Sequence, residues 1–450
     1  MSEQNVKATL SDAVDQVLTL VQAKGAHADV IANASESLSL KADQGDLSEH
    51  KVTAGQVIGV RVIKGDQVAT SYSESLDSDS LASMVNAALT NASFTKADPD
   101  QKIRAEGQQI DSQDPTLFQA DNTPIEDKIA LALAMEQDVV NQPRATGAPY
   151  NGYGEQTQYQ LLANTLGTRC YHRERSFSCY TAALLNHDGK QSMHLGASVS
   201  RRFADLDQAF ATRLAYDTAD ALLEGGPVKT GQYAVVFEHN CLSELLGAFG
   251  SCFSGDAAKR GTNPWREKIG KPIADPALTI TDIARIDDGM RSKAFDSEGF
   301  ATTDTPLIEN GILVGLLHNS ATAHHFGVRH TANAGRSPKG GLDVTSRHDL
   351  IGAGKQSGAE VHGGEYLELV SLQGVHSGAN AISGDFSFGA SGFLCRDGKR
   401  VRPVRGITVA GNFYTMLNEI DAIGNTVTPN YDGAFFAPRI RFARLSIAGE

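Results

Sequence analysis

Hydrophobic residues near the start of the chain recur at helical spacing: Leu10, Val14, Val17, Leu18 and Val21 share one face, and Gly25 is placed to stop the helix. Over residues 28–73 the spacing changes to alternation, through DVIANASESLSLKA and GQVIGVRVIKGDQVATSYS. This predicts an antiparallel unit in which Lys64-Gly65-Asp66 closes a hairpin. Helical spacing returns over 75–92 through Leu76, Leu81, Val85 and Leu89, and residues 98–122 are polar and irregular, as in a connector or surface loop. Thr123, Pro124 and Glu126 then spell a capping box, with proline at the first helical position, ahead of the apolar run IALALAMEQDVV. Residues 150–200 read as hairpins turning at Gly167 and at His187-Asp188-Gly189, and 204–223 as one more amphipathic helix.

The stretch EGGPVKTG at 224–231 interrupts every pattern. Glycine usage shifts there, from 13 up to residue 225 to 31 beyond it, which suits short strands, bulges and tight turns. The predicted architecture is α+β. An N-terminal domain of antiparallel strands with packed helices covers 1–225, and a mostly β C-terminal domain covers 226–450, with a single helix near 242–259. A length of 450 residues, set against about 150 per domain, agrees with two or three domains.

Composition narrows the function classes. A net charge of −13 repels polyphosphate, so direct nucleic-acid binding is not expected despite the local basic run at 399–405. The five cysteines, Cys170, Cys179, Cys241, Cys252 and Cys395, are odd in number and dispersed, which fits a reducing compartment. The N-terminus lacks the features of a signal peptide, and no apolar run approaches the roughly 20 residues of a spanning helix. A cytoplasmic chain without membrane contact is expected.

Candidate chemistry is sparse. His318, His324, His325 and His330 are the densest group of potential ligands, but intervals of six (318 to 324) and five (325 to 330) do not stack imidazoles on one helix face. They read as hydrogen-bonded or solvent-facing groups flanking a turn. Ser251 and Ser254 in GSCFSG have the wrong spacing for a nucleophile elbow, and His362-Gly363-Gly364 only faintly resembles an oxyanion loop. Cys241 and Cys252 sit on an apolar helix, as buried structural thiols do. Gly352-Ala353-Gly354-Lys355 departs from a phosphate loop at Asp349 and Gln356, and no Rossmann fingerprint follows a strand. Asp296-Ser297-Glu298-Gly299 is too short for a calcium loop and reads as an Asx-type turn.

The order of longer segments carries more. GVRVIKGDQVATSYS, LLANTLGTRCYHRERSF, TGQYAVVFEHNCLSELLGAFGSCFSGDAAKRGT and FDSEGFATTDTPLIENGILVGLLHNSATAHHFG together resemble the TldD/PmbA family, on its TldE (PmbA) branch, over nearly the whole chain. The most specific parts are 296–299, 308–311 and the stretches 254–256 and 260–262. The resemblance implies a cytosolic zinc metallopeptidase whose TldD partner carries His-Glu-x-x-x-His on a helix and a later cysteine as third ligand. Aligned on Gly255-Asp256, the two histidine positions fall on Leu246 and Ser251 and the glutamate position on Gly247. Cys395 does not match the cysteine position, and 430–450 contains no cysteine.

The resemblance therefore implies a non-catalytic subunit, without catalytic or metal-binding residues and without a cofactor of its own. It would be paired with a TldD-type zinc-bearing subunit and would act on flexible peptides, with microcin precursor processing and antitoxin degradation as family associations. The alternative is a regulatory peptide-binding protein linked to toxin-antitoxin or gyrase systems, without hydrolysis. A third reading, a self-sufficient peptidase built on the 318–330 histidines, lacks a placed general base.

Overall fold

The computed structural model describes residues 3–450. Its first part is one eight-stranded sheet with four helices on one face. Helix α1 (Glu3–Ala23) is followed by β1 (His27–Asp43), β2 (Asp46–Lys64) and β3 (Gln67–Ser73), then by α2 (Ser78–Ala92) and β4 (Gln109–Ser112). Next come α3 (Ile125–Val140), β5 (Ala145–Gly147), β6 (Asn151–Asn164), β7 (Arg169–His187), β8 (Lys190–Ser200) and α4 (Gln208–Leu223). The strand order is β3-β2-β1-β6-β7-β4, with β5 and β8 also on β7, and only β4 runs parallel to its neighbour. The helices and hairpins expected from hydrophobic spacing are present, and the connector at 98–122 additionally supplies the short β4.

Strand alternation explains the layering. Val30, Ala32, Val60, Val62, Leu161 and Tyr171 project to one face and pack against Leu10, Val14 and Val17 of α1 and Leu81 and Val85 of α2. The same face carries Leu40, Tyr153 and Phe177 beneath Ala132 of α3, and Ala183 and Leu185 beneath Ala215 and Ala219 of α4. Among the described residues no helix covers the opposite face. Near one end its apolar residues Ile31, Leu162 and Cys170 meet Phe295 of the second part. Beyond them the register aligns Asn33 with Gln160 and His172, Ser35 with Gln158 and Glu174, and Ser37 with Gln156 and Ser176.

The expected capping box at α3 is not formed. Pro124 occupies the N-cap without a side-chain bond, because the Thr123 hydroxyl donates to Asp121 Oδ1 at 2.7 Å. Lys128 holds that helix end instead, donating to Asp121 at 2.7 Å and to Glu155 at 2.6 Å.

In the second part, β9 (Gly231–Phe237) pairs with strands Glu365–Gln373 and Ile440–Ala448. The hairpin Asp385–Arg396 and Lys399–Asn412 continues from Glu365–Gln373 and closes back onto Ile440–Ala448, so that five strands form a ring. Val235, Leu367, Phe388, Val409 and Ile447 belong to its core. These hairpin strands, of 12 and 14 residues, are longer than the short strands that glycine usage implied. A second six-stranded sheet runs through Ile280–Ile283, Thr305–Glu309 and His348–Ile351.

The single helix expected near 242–259 is also corrected. It is broken into α5 (His239–Ala248), a 3-10 turn over Gly250–Phe253 and α6 (Gly255–Lys259). Ser254 is extended (φ −85°, ψ 122°) because the chain there pairs with Leu317, which donates to Phe253 O at 2.8 Å and accepts from Gly255 N at 2.9 Å. Gly255 allows this approach, since a Cβ would lie 2.3 Å from His318 Nδ1. Among the described residues no helix is long and apolar enough to cross a membrane.

Candidate functional site

Leu246 and Gly247 lie in the last turn of α5 and Ser251 in the 3-10 turn, and all three line one cavity of about 380 Å³. Its other walls include Leu307, Leu317, Ser346 and Asp349. Leu246 and Gly247 carry no donor atom and Ser251 only a neutral hydroxyl, so these positions do not fit a zinc ion, which requires imidazole, thiolate or carboxylate ligands. Among the described residues no group of three or more His, Cys, Asp or Glu side chains is placed to hold a metal. Asp343 and Asp349 bring carboxyls to the cavity, and burial, reinforced by the charge of Asp282, pushes that of Asp349 up to about 7, with Arg291 opposing.

Two further cavities continue from this one. A central cavity of about 520 Å³ shares Arg291, Asp343 and Ser346 with it and is lined in addition by Lys293, Asp296, Arg336 and Arg347. A third, of about 290 Å³, shares Met290 and Arg291 with the central one and opens against Gln156, Gln158, Glu174, Ser176 and Arg201 on the helix-free face of the sheet. The result is a cleft between the two parts of the chain. It runs from the Leu246–Ser251 cavity, past a cluster of cations, to a wall of amides and hydroxyls that also carries the Glu174–Arg201 pair.

Buried charges fasten the cleft. Asp29 of β1 and Arg61 of β2 face each other across the strands on the helix-free side, where Arg61 Nε donates to Asp29 Oδ2 at 2.9 Å. Arg336 reaches the other oxygen of Asp29 at 2.6 Å, and Arg61 lies 3.4 Å from Glu298. Glu298 in turn accepts from Ser320 N at 2.8 Å and Ser320 Oγ at 2.6 Å. The 296–299 segment forms the expected Asx-type turn: Asp296 Oδ1 accepts from Glu298 N at 2.9 Å and Phe300 N at 3.0 Å, and Oδ2 from Ala334 N at 3.1 Å. Burial and the charge of Glu298 raise the Asp296 pKa against these bonds.

The histidines do not converge. His318 is buried with Nδ1 3.1 Å from Thr322 Oγ1, and burial lowers its pKa to about 4. His324 and His325, near the end of α7 (Ser320–Phe326), each place Nδ1 2.9 Å from a different oxygen of Asp100. His330 stacks on Phe300. The turn position read from sequence is thus a short helix docked on the 98–101 loop. All five cysteines are buried and unbonded to one another, with the Cys241 and Cys252 thiols pushed up by burial. Arg400, in the basic run, pairs with Glu368 at 2.8 Å.

Sequence reading passed over Asp29, Arg61, Lys293, Arg336 and Arg347. For the first two a signal existed, because Asp29 and Arg61 are charges set inside the apolar runs ADVIA and GVRVI. The other three lie in loops or at strand ends without periodicity, and only the folded chain brings them together.

Comparison with known proteins gives consistent results. A family model described as PmbA/TldA metallopeptidase domain 1 matches residues 28–92, the corresponding central domain 118–223, and the C-terminal domain 230–449. The chain is 25% identical to Metalloprotease PmbA of Escherichia coli O157:H7, covering 96% of each. It is also 25% identical to a Metalloprotease TldD homolog of Buchnera aphidicola, covering 82% of this chain and 79% of that one. In fold it resembles a Thermotoga maritima protein described as a modulator of a DNA gyrase, with a TM-score of 0.86 and 23% identity over 97% of this chain and all (100%) of that one. It likewise resembles TldE from Thermococcus kodakarensis, with a TM-score of 0.84 and 18% identity over 98% of this chain and 100% of that one.

Proposed function

The chain belongs to the PmbA/TldD metallopeptidase family, on its TldE/PmbA side, and from that premise we propose that it is the non-catalytic subunit of a cytoplasmic TldD/TldE-type zinc metallopeptidase. The observation that carries this reading is the side chains at Leu246, Gly247 and Ser251, none of which supplies an imidazole, thiolate or carboxylate to the cavity they line. Zinc belongs to a TldD-type partner, and the present chain contributes a wall. Division of the chain near residue 225 is part of the same reading.

The role of this wall follows from its chemistry. Gln156, Gln158, Gln160, Ser35 and Asn33 offer donors and acceptors to any polypeptide backbone, and the charges beside them, Glu174 and Arg201, pair with each other at 3.2 Å. A flexible peptide held there is bound with little sequence preference, in keeping with degradation or trimming of unfolded chains such as a microcin precursor or an antitoxin.

The chain purified alone should hold less than about a tenth of an equivalent of zinc, since a three-ligand site would retain its metal. It should show no peptidase activity until a TldD-type relative is added, and the two should elute together. Peptidase activity from the chain alone, or close to one equivalent of zinc in it, would overturn the reading. The description of the Thermotoga relative favours one second reading, a regulatory peptide-binding protein linked to toxin-antitoxin or gyrase systems without hydrolysis. Failure to associate with any zinc-bearing relative would select it.

A further inference from the structure

The central cavity holds more positive charge than the fold uses. Arg291, Lys293, Arg336 and Arg347 line it, against the carboxyls of Asp296 and Asp343. Among the described residues, Arg291, Lys293 and Arg347 have no carboxylate within ion-pair distance. Arg347 spends Nη2 on Ala332 O at 3.1 Å, and Arg291 spends Nη1 on Arg347 O at 3.4 Å. Among the described residues, Lys293 Nζ has no hydrogen-bond partner. Arg336 is fully withdrawn from solvent, with its side chain 0% exposed, yet only Nη2 is engaged, by Asp29, while Nε and Nη1 have no partner. Donors left unsatisfied in a buried place are costly, and a fold does not need them there.

We propose that this cavity is a carboxylate-binding site, in which Lys293 and Arg347, flanked by Arg291 and Arg336, hold one carboxylate of a ligand. A singly charged planar anion fits better than phosphate, because Asp296 and Asp343 in the same wall repel a dianion, whereas a guanidinium pairs with both oxygens of a carboxylate. Position assigns the bearer. The site lies between the Leu246–Ser251 cavity and the amide wall, so that a peptide along the cleft would be anchored by its C-terminal carboxylate or by an acidic side chain. This identification of the bearer rests on the peptide reading above; the anion site does not.

Calorimetric titration of the full-length chain alone, without partner or zinc, tests it. Three acetylated pentapeptides serve as probes: Ala-Ser-Ala-Ser-Ala as free acid, the same peptide as amide, and Ala-Ser-Asp-Ser-Ala as amide. The free acid should bind at least about tenfold more tightly than its amide, and Lys293→Met should remove that difference, whereas Lys293→Arg should retain it. Arg291→Gln, at an exposed position, should weaken the free acid as well. If the aspartate amide matches the free acid, the anchor accepts an acidic side chain; if it behaves as the neutral amide, the anchor reads the chain end.

Equal affinity for free acid and neutral amide, no binding of any probe, or inorganic phosphate binding more tightly than the free acid would each overturn the proposal. None of these outcomes depends on hydrolysis, so the subunit reading can fail while the carboxylate site stands, and the reverse.

Discussion

The junction beneath α3 and the centre of the cleft each hold a lysine drawn away from bulk water, and the two differ in everything around them. Lys128 donates to Asp121 and Glu155, and although burial alone would lower its pKa, those two bonds outweigh it and raise it. Lys293 has no partner among the described residues. Burial lowers its pKa, with Glu174 pulling too weakly in the other direction. The first lysine fixes a helix end to the sheet and is explained by stability. The second costs stability, and its place in a cavity lined by further unpaired cations makes a ligand the explanation.

Asp29 extends the contrast to its extreme, since one carboxylate serves two buried guanidiniums, Arg61 and Arg336. Asp29→Ala strands Arg336, leaves Arg61 only Glu298 at 3.4 Å, and should cost about 3–5 kcal/mol in urea unfolding, the largest single effect expected here. Lys128→Met leaves Asp121 and Glu155 without their cation and should cost on the order of 3 kcal/mol, somewhat moderated because Glu155 retains solvent contact, its side chain being 15% exposed. Lys293→Met should have the opposite sign. It should stabilise the chain by about 1–2 kcal/mol near neutral pH, as replacement of uncompensated buried charge by apolar volume does. Because the folded-state pKa of Lys293 lies below that of a free lysine, the folded chain binds fewer protons there than the unfolded chain. The wild type therefore gains stability as pH rises toward 10, and the advantage of Lys293→Met shrinks over the same range. Two lysine substitutions of equal sign would break the comparison.

Asp349 sharpens it from the acidic side. Its folded pKa of about 7 exceeds the ordinary value of 3.8, so the folded chain binds the extra proton between those limits. Its burial therefore costs nothing below pH 4, and the cost grows until pH 7 and then stays constant. Asp349→Asn should be indistinguishable from wild type in acid and more stable by on the order of 1–2 kcal/mol at pH 8, less than the full shift implies because the carboxyl faces the solvent of the cavity. Unfolding at a series of pH values reads this directly, and a pH-independent difference would show that folding leaves the Asp349 pKa unshifted.

Legibility in the sequence divides along the same line. Periodicity placed α1, α2, α4 and the β1–β3 and β6–β8 hairpins, because each buries one regular face. It failed at α5–α6, where apolar residues continue at helical spacing but the backbone must break at Ser254 to pair with Leu317, a partner 63 residues along the chain. It failed at Thr123 for a similar reason, since Asp121 competes for the hydroxyl that the capping motif assigns to the helix. The positions Leu246, Gly247 and Ser251 were legible through family resemblance and do share a cavity. Lys293, Arg336 and Arg347 were not, because nothing in their spacing marks them and only the folded chain brings them to one cavity.

The histidine pair on Asp100 supplies the weakest test and separates a binding cluster from a surface one. His324 and His325 present their Nδ1 atoms to the two oxygens of one carboxylate, which also pairs with Lys259 at 2.9 Å. The imidazoles are 56% and 42% exposed, so water competes for every one of these bonds. Replacing both with glutamine should therefore cost no more than about 1 kcal/mol in unfolding, the upper end for exposed pairs, and less in high salt. The same double variant should leave peptide hydrolysis by the assembled enzyme unchanged, since Lys259 keeps Asp100 in place and neither ring lines the cleft. A loss of hydrolysis without loss of assembly would instead place these imidazoles in the chemistry. The unpaired cations of the cleft would then no longer be the feature that distinguishes functional charge from structural charge in this chain.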